Sequence, residues 1–394
     1  MAVISSVGPA RAKATWSGTT ANIVSALEAA DVSVTDHAIS LSKPRRLAHE
    51  AAGRLLGLGS RQLERVGPWR QYLRRAASAA ASAAAAQTVL HFGSSHLPLI
   101  TSRPGQRHYL VTDYNLHLLL TKGVLAQQAG TRYKREVLAA ERQIAAEIDG
   151  IFTISDYVRE DWLQEYGLPQ EKVTTIGTGL GQPVMLDGQV KDYAAGHLLY
   201  IGRHSFDIKG GELLLPAFEH ALRQRPDLKL VIIGDAADPK LARHLPTIRA
   251  NPAIEFHQSG TPHFVDLVRG AALYAAPAPA EPWGLVYLEA MMCETPVLAL
   301  DRNAMRQLTD GGRLGFLVQD ADPTILGDAI VAAMSDPDRL GRMGRGGRAF
   351  VEANFTWAKV ARTIIDRLAA DRALEQRRCA DGAAMSLPTS RAIR

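Results

Sequence analysis

The sequence predicts an α/β protein built from two similar domains. Its 394 residues exceed what one hydrophobic core usually holds. Near the start, an apolar run at 2–6 leads through a loop into a helical pattern that opens at Gly18. The same order of strand, loop, glycine and helix begins again at 197–218. This order is typical of a doubly wound sheet, and its repetition indicates two sheets rather than one long one.

The composition is that of a folded protein, with 46% hydrophobic and 22% charged residues. Cysteine occurs only at Cys293 and Cys379, which argues against a disulfide framework and favours a reducing compartment. The N-terminus lacks the pattern of a signal peptide, and no apolar run reaches membrane-spanning length. We therefore expect a cytoplasmic protein.

The first domain is expected over residues 1–182. Its remaining strands are predicted from short apolar runs at 32–40, 88–93, 108–113 and 150–155. A helix of mixed charge is predicted from Arg132 to Ile148. The glycine-rich stretch 175–184 is expected to be a flexible crossing into the next domain.

The second domain is expected over residues 183–370. Its predicted strands are the apolar runs that begin at 197 and lie at 229–235, 253–260, 273–280 and 297–300. Residues 371–394 are polar and lack apolar periodicity, so a disordered tail is expected there.

A basic segment lies between Lys43 and Arg75. It carries nine Lys or Arg residues and two acids, a charge of +7 that leaves −2 for the rest of the chain. Leucines are interspersed with these charges, a pattern typical of a helix on an anionic membrane surface. A solvated helix pair that packs its apolar face on the domain explains the pattern equally well. No nucleic-acid motif accompanies the charge, so nucleic acid is not an expected partner.

Within the stretch Pro277–Leu300, seven residues separate the carboxylates of Glu281 and Glu289. That spacing is about two helical turns, so both side chains can face one site. Gly284 marks the change from loop to helix, where exposed backbone N–H groups suit anionic or hydroxyl-rich groups. The simpler interpretation is that Glu281 caps the helix and Glu289 is an ordinary surface residue.

Residues 281–300, EPWGLVYLEAMMCETPVLAL, resemble the E-x7-E signature of the retaining glycosyltransferases of family 4. The usual form is close to E-x-F-G-L-V-x-L-E-A-M-A-x-G-x-P-V, from which this chain departs at Trp283, Met292 and Glu294. The segment ERQIAAEIDGIFTIS and the late Phe-x-Trp at 355–357 also resemble the family. The resemblance covers most of 130–370 and is weak over 35–85. It implies the glycosyltransferase B architecture, in which two Rossmann-like domains face a cleft and a C-terminal helix returns to the first domain.

Arg203 and Lys209 lie in one loop, Gly-Arg-x5-Lys-Gly, before a helix start. Two cations beside backbone N–H groups suit a diphosphate, and the resemblance likewise implies that this loop holds the leaving diphosphate of a nucleotide sugar. These cations can neutralise the leaving group, so we expect neither a metal nor another cofactor. The Asp320–Asp322 pair superficially looks like a metal motif, but its place before Pro323 favours a helix start.

The resemblance also implies roles for single residues. Glu281 would bind hydroxyls of the transferred sugar, and Glu289 would bind the ribose. Backbone groups of four consecutive residues, Trp283, Gly284, Leu285 and Val286, would meet sugar and phosphate oxygens. Strand ends near Gly234 and His257 would contact the base.

The acceptor side is expected in the first domain, where polar residues follow predicted strands. Asp113 is the preferred residue near the reacting carbon. The other candidates are Gly18, His91, His96 and His117.

The sequence therefore predicts transfer of a sugar from a nucleotide-diphosphate sugar to a sugar or lipid-linked acceptor hydroxyl, with retention of configuration. The alternatives are a nucleotide-sugar epimerase of related fold, a pyridoxal-dependent phosphorylase, a two-carboxylate hydrolase and a non-catalytic protein that binds sugar nucleotides.

Overall fold

The computed structural model describes residues 1–56, 60–122, 130–202 and 206–385. They form two α/β domains, each built on a six-stranded sheet in which every strand pair is parallel. The predicted fold class, two Rossmann-like domains, is confirmed.

The first sheet runs from Ala2 to Thr175. Across the sheet, its strands are β2 (Thr35–Ala38), β1 (Ala2–Ser5), β3 (Thr88–Phe92), β4 (Arg107–Thr112), β5 (Gly150–Thr153) and β6 (Val173–Thr175). The helices are α1 (Thr19–Ala29), α2 (Lys43–Leu56), α3 (Ser60–Leu63), α4 (Gly67–Ala83), α5 (Leu116–Thr121), α6 (Thr131–Glu147) and α7 (Asp156–Glu165). Strands β1, β3 and β5 are wholly buried, because helices cover both faces of a parallel sheet.

The second sheet has the strand order of a dinucleotide-binding domain. Across the sheet, its strands are β12 (Gly315–Val318), β11 (Val297–Leu300), β10 (Ala271–Ala275), β7 (His197–Gly202), β8 (Leu230–Gly234) and β9 (Ile254–Gln258). Its first helices are α8 (Gly211–Gln224), α9 (Pro239–Ala242), α10 (Leu245–Ala250), α11 (Phe264–Arg269) and α12 (Leu285–Met292). The remaining ones are α13 (Met305–Leu308), α14 (Pro323–Met334), α15 (Pro337–Asn354) and α16 (Trp357–Met385).

Helix α16 joins the two domains. It begins beside the second domain and packs on α1 of the first. Side chains of this helix bond the first sheet: Arg367 donates to Thr174 at 2.9 Å, Arg372 donates to Thr88 at 3.3 Å, Asp371 accepts from Tyr109 at 2.8 Å, and Glu375 accepts from Arg107 at 3.1 Å. The expectation of a disordered tail from 371 onward is therefore wrong as far as Met385, because contacts with the first sheet stabilise the helix.

The crossing at 175–184 is held in place at two points. Thr178 Oγ1 accepts a hydrogen bond from Trp283 Nε1 at 2.8 Å, and the Leu180 carbonyl accepts one from Trp357 Nε1 at 2.8 Å. Gly179 lies so close to α16 that a Cβ there would come within 2.4 Å of the Trp357 amide nitrogen. The expected flexible crossing is thus a packed segment, because both tryptophans come from parts of the chain that are distant in sequence.

The basic segment 43–75 spans α2, α3 and the start of α4, and its helices differ in how they pack. Helix α4 packs Leu73 and Ala77 into the domain, while Arg70 and Arg74 donate to the carbonyls of Leu97 and Pro98 at 2.8 and 2.7 Å. Helix α2 instead leaves Leu47 and Leu55 in solvent. No helix in the described ranges is long and apolar enough to cross a membrane.

We expect Gly179→Ala to lower the free energy of unfolding by about 2 kcal/mol, because overpacking a tight contact costs about 1–3 kcal/mol. Gly181→Ala is the matched control, since nothing lies within 4 Å of a Cβ at that position. Its stability should be unchanged or raised by up to about 1 kcal/mol. Urea denaturation measures both variants, and equal effects would contradict the close approach at Gly179.

Candidate active site

A cavity of about 600 Å³ opens between the two domains. The first domain contributes residues that include Trp16 and Asp113, and the second contributes Lys209, Glu281 and Glu289. The second-domain residues follow β7 and β10, the neighbouring strands at which the strand order of that sheet reverses. Ligands of doubly wound sheets bind at such switch points, beyond the carboxyl ends of the strands.

Lys209 and Glu281 form an ion pair inside this cavity. Their side chains are 18% and 13% exposed, so both charges are largely removed from water. Each is stabilised by the other, because a buried charge without a partner is costly. Lys209, one of the two cations predicted to bind phosphate, thus lies directly beside Glu281, one of the two predicted carboxylates. Arg203, the other cation, lies outside the described residues.

Two glycines precede helices close to the cavity, and one of them, Gly284, lines it. Gly210 and Gly284 precede α8 and α12, with φ of 81° and 98°, in the left-handed region that glycine occupies without strain. A Cβ on Gly210 would lie 2.2 Å from the Pro277 carbonyl oxygen. The first backbone N–H groups of α12, which belong to Leu285 and Val286, line the cavity and provide donors at the positive end of the helix.

The two carboxylates do not lie on one continuous helix. Helix α12 starts at Leu285, so Glu281 belongs to the preceding loop and Glu289 to the helix. Both still line the cavity, because the turn at Gly284 redirects the chain. Gly284 occupies the N-cap position and no side chain caps this helix end, so the capping interpretation of Glu281 is wrong.

Trp283 lines the cavity beside Gly284, and its indole is 4% exposed. The ring N–H is bonded to Thr178 on the crossing, and the ring packs edge-on against Phe355 at 5.5 Å. The Trp283 side chain therefore anchors the loop that carries Glu281 and Gly284 to the crossing and to Phe355.

Asp113 follows β4 and faces the cavity from the first domain. Its Oδ2 accepts a hydrogen bond from Trp16 Nε1 at 2.7 Å. Trp16 and Ser17 have φ of 47° and 54°, so two side-chain-bearing residues adopt left-handed backbone before Gly18, whose φ is 83°. Such conformations cost about 1–3 kcal/mol each and cluster at functional sites. Gly18 caps α1 but does not line the cavity, whereas Ser17 and Thr19 do.

The candidate histidines lie away from the cavity. His91 and His96 have no exposed surface. They form a chain of rings in which His91 is bonded to His96 at 2.9 Å and to His108 at 3.0 Å. Burial holds the pKa of His91 well below its usual value and lowers that of His96 to about 3. His117 is bonded to Asp161 at 3.0 Å. A substrate-binding role for His96 is therefore wrong, because the ring points into the domain interior.

Two further residues that the sequence singled out, Gly234 and Asp322, contribute to packing and to helix capping in the second domain. Gly234 ends β8, and a Cβ there would lie 2.5 Å from Leu241, so the glycine serves packing and does not line the cavity. Asp322 caps α14 by accepting from the backbone N–H groups of Thr324 and Ile325 at 2.8 and 3.2 Å. The helix-start interpretation of Asp320–Asp322 is confirmed.

A second cavity, which the sequence analysis missed, lies wholly within the first domain. It has a volume of about 320 Å³ and lies where the strand order reverses between β1 and β3. Glu64, Arg65 and Glu141 line it, together with Trp16 and Asp113 from the domain cleft. Glu64 and Arg65 lie in a turn of the basic segment, where no local pattern marks them. Glu141 is the first residue of ERQIAAEIDGIFTIS, a segment that the sequence analysis noted without giving Glu141 a role.

Glu141 is 1% exposed, and burial raises the pKa of its carboxyl to about 7. Hydrogen bonds from the Tyr166 hydroxyl and the Leu116 amide offset part of that rise. A carboxyl group with this pKa changes charge near neutral pH beside the second cavity.

Comparisons with known proteins agree with this architecture. Residues 195–336 match the family model described as "Glycosyl transferases group 1". Alpha-maltose-1-phosphate synthase of Mycolicibacterium smegmatis is 27% identical over 267 residues, which cover 61% of this chain and 68% of that protein. D-inositol 3-phosphate glycosyltransferase of Gordonia bronchialis is 26% identical over 236 residues, 55% of this chain and 51% of that protein. The matched segments thus span between about half and two thirds of these relatives.

Solved structures show the same fold over nearly the whole chain. Sucrose-phosphate synthase from Thermosynechococcus elongatus superposes with a TM-score of 0.65 at 19% identity, covering 96% of this chain and 99% of that one. WaaG, a glycosyltransferase involved in lipopolysaccharide biosynthesis, gives a TM-score of 0.61 at 14% identity, covering 92% and 98%. The fold is the glycosyltransferase B architecture, and the match of the second domain supports glycosyl transfer as the class of activity.

The buried histidine chain predicts acid sensitivity. Unfolded histidine binds a proton near pH 6.5, whereas folded His91 and His96 do so only at much lower pH. The unfolded state therefore binds more protons below pH 6.5, and the free energy of unfolding falls as the pH falls, by about 1.4 kcal/mol per pH unit for each proton. Urea denaturation at pH 7.5, 6.5 and 5.5 measures this slope.

His96→Asn removes one of these proton-binding groups. Below pH 6.5 it should reduce the slope by up to about 1.4 kcal/mol per pH unit, the effect of one proton. His263→Asn, at an exposed position in the second domain, is the control and should keep the slope of the unchanged chain. A slope that His96→Asn leaves unaltered would contradict the buried neutral state of this ring.

Proposed function

We propose that this protein is a retaining glycosyltransferase that moves a sugar from a nucleotide-diphosphate sugar to an acceptor hydroxyl. The observation that carries the proposal is the meeting of Lys209, Glu281 and Glu289 with the start of α12 in one cavity between two domains. A cation, two carboxylates and backbone donors are the groups that a nucleotide sugar requires.

The diphosphate of the donor would bind to Lys209 and to the backbone N–H groups at the starts of α8 and α12. A diphosphate leaving group carries developing negative charge, which a fixed cation and helix ends stabilise in the transition state. Arg203 is close to Lys209 in sequence and would add a second cation. We expect these groups to suffice without a metal ion.

The sugar and ribose of the donor would bind to the carboxylates. A carboxylate accepts hydrogen bonds from two adjacent hydroxyl groups, so Glu281 suits the transferred sugar and Glu289 the ribose. The ion pair with Lys209 holds the Glu281 carboxylate in the cavity before the donor arrives. Donor binding would then place its phosphate and its sugar hydroxyls on the two ends of one preformed pair.

Retention of configuration follows when the acceptor attacks on the same face as the leaving group. The bond between the sugar carbon and the phosphate oxygen breaks, a bond to the acceptor oxygen forms, and the proton of the acceptor passes to the departing phosphate. Asp113 lines the same cavity from the first domain, and it would orient the acceptor hydroxyl without taking its proton permanently.

The main alternative is a nucleotide-sugar epimerase, which acts on the donor alone. Turnover that requires an acceptor separates the two activities. The Lys209 cation beside Glu281 favours chemistry on a phosphate ester over glycoside hydrolysis, which has no diphosphate to stabilise. A phosphorylase would show the absorbance of a lysine-bound pyridoxal group.

Membrane contact is proposed for α2. Leu47 and Leu55 on this helix are 67% and 89% exposed, beside the exposed Arg46 and Arg54. Its inward side packs through His49, whose ring meets Trp69 edge-on at 5.1 Å. Exposed leucines between cations suit the interface of an anionic membrane, and a lipid-linked acceptor would be presented there.

Thermal unfolding with UDP-, GDP-, ADP- and TDP-sugars in EDTA tests donor binding. One donor should raise the unfolding temperature by several degrees, because a ligand at 100 times its Kd adds about 2.7 kcal/mol. For Lys209→Ala, the shift in unfolding temperature is measured against the ligand-free variant. This variant should bind the donor at least about tenfold more weakly, since charged hydrogen bonds contribute about 1.5–3 kcal/mol. Lys229→Ala, an exposed lysine of the same domain, is the control. No shift with any nucleotide would contradict the proposed function.

Sedimentation with vesicles of phosphatidylglycerol and phosphatidylcholine tests membrane contact. Binding should fall with salt, and Arg46→Glu with Arg54→Glu should weaken it at least about 30-fold, because each basic residue near an anionic surface contributes about 1 kcal/mol. Arg249→Glu with Arg302→Glu makes the same change of charge at exposed positions in the second domain. Equal loss in both double variants would contradict a specific contact through α2.

A further inference from the structure

The first domain contains a chain of three imidazole rings that the proposed reaction does not use. His91 on β3 is the middle ring, with Nδ1 2.9 Å from His96 Nε2 and Nε2 3.0 Å from His108 Nδ1. A neutral imidazole has one N–H group and one bare nitrogen, so His91 donates to one neighbour and accepts from the other. Three neutral rings therefore satisfy both bonds without placing a charge in the domain interior.

His96 is the inner end of this histidine chain. Its ring has no exposed surface, and its Nδ1 has no hydrogen-bond partner among the residues that the structure describes. A protonated His96 would keep its bond to His91, but it would carry a buried N–H group without an acceptor. Burial of the ring accordingly lowers the pKa of His96 to about 3.

His108 is the outer end of the histidine chain, and carboxylates lie on this side. Its backbone N–H donates to Asp149 at 2.7 Å, and its ring lines a cavity of about 100 Å³ together with Glu147. Burial lowers the pKa of His108, and the Asp149 charge offsets part of that change. The negative charges that favour protonation thus lie beside His108, at the opposite end from His96.

His96 belongs to loop 93–98, which is anchored to α4. Arg70 and Arg74 on that helix donate to the carbonyls of the two residues after His96, at 2.8 and 2.7 Å. A positive charge on His96 would therefore lie in a loop that already has two guanidinium groups bonded to it. Like charges repel, so these surroundings oppose protonation of the ring while the loop stays in place.

The same loop forms part of the wall of the first-domain cavity. Gly93, Ser94 and Ser95 line that cavity, whereas the His96 side chain points away from it into the histidine chain. The position of this wall thus depends on two kinds of anchor, a buried neutral ring and two hydrogen bonds from arginines.

We propose that the histidine chain is a pH-dependent switch for loop 93–98, which stays on α4 while His96 is neutral and is released when His96 takes up a proton. Release transfers the imidazolium into water, where its charge is solvated. It also moves Ser94 and Ser95 out of the cavity wall. Such an opening is local, because segments of a folded domain open with less free energy than the whole domain. The inference does not depend on the proposed function.

Hydrogen exchange measured by mass spectrometry tests the switch on the full chain. Peptides over 93–101 contain the amide of Leu97, bonded to a carbonyl within the loop, and that of Ile100, bonded to the Ser78 hydroxyl on α4. Between pH 7.5 and 5.5, their protection factor should fall about tenfold after correction for the intrinsic rate, because the released ring binds a proton near pH 6.5.

Strand β5, in the same domain, shows whether the opening is local. At pH 5.5, peptides over 93–101 should remain at least about tenfold less protected than peptides over β5. Equal protection of the two segments would mean that the loop is released only when the domain unfolds, and it would overturn the inference. Protection of 93–101 that is the same at both pH values would also overturn it.

His96→Asn removes the ring that titrates. Whatever protection the loop then has at pH 7.5, it should change less than about twofold between pH 7.5 and 5.5. His263→Asn, at an exposed position in the second domain, is the control and should keep the tenfold change. A tenfold change that persists in His96→Asn would assign the pH dependence to another group and overturn the inference.

A second pair of variants tests the anchor if His96→Asn does not fold. Arg74→Gln removes one guanidinium from the loop and should lower its protection at pH 7.5 at least about fivefold, since a hydrogen bond from a charged group is lost. The pH dependence of this variant should remain. Arg75→Gln makes the same change of charge at an exposed position beside it and should leave the protection unchanged. Equal loss in both variants would contradict the anchored loop and overturn the inference.

Discussion

Parallel pairing throughout both sheets is the constraint on which the rest of the structure depends. In each sheet, all six strands end at the same edge, and the loops that follow collect there. The cleft cavity takes its residues from such loops in both domains. Residues as distant in sequence as Trp16 and Glu289 can therefore line one cavity without any local signal that relates them.

Within that cavity, a buried ion pair controls the electrostatics. Lys209 and Glu281 lie largely out of water, where an unpartnered charge would be costly, and each holds the other in place. A site of this kind is organised before its ligand arrives, because the cost of ordering its side chains is met during folding. The helix starts behind Gly210 and Gly284 add dipoles of fixed direction.

The sequence predicted the strands and the carboxylate stretch well, because buried parallel strands appear as continuous apolar runs such as TVLHF and LVIIG. It failed where the deciding contact is distant in sequence. His96 follows a strand as a site residue would, yet its ring turns inward to His91. The polar tail from 371 is helical because the first sheet supplies partners for Asp371 and Glu375. Likewise, the left-handed turn at Trp16 has no signature before Gly18.

Trp283 connects the loop that carries Glu281 and Gly284 to the segment that joins the domains. The phenylalanine usual at this position in family 4 has no N–H group, whereas the Trp283 indole is bonded to Thr178. Thr178 lies next to Gly179, which is in close contact with the start of α16. A hinge rotation between the domains would therefore pull on the loop that carries Glu281 and Gly284. In mechanical terms, the angle between the domains and the shape of the cavity around Glu281 and Gly284 would change together.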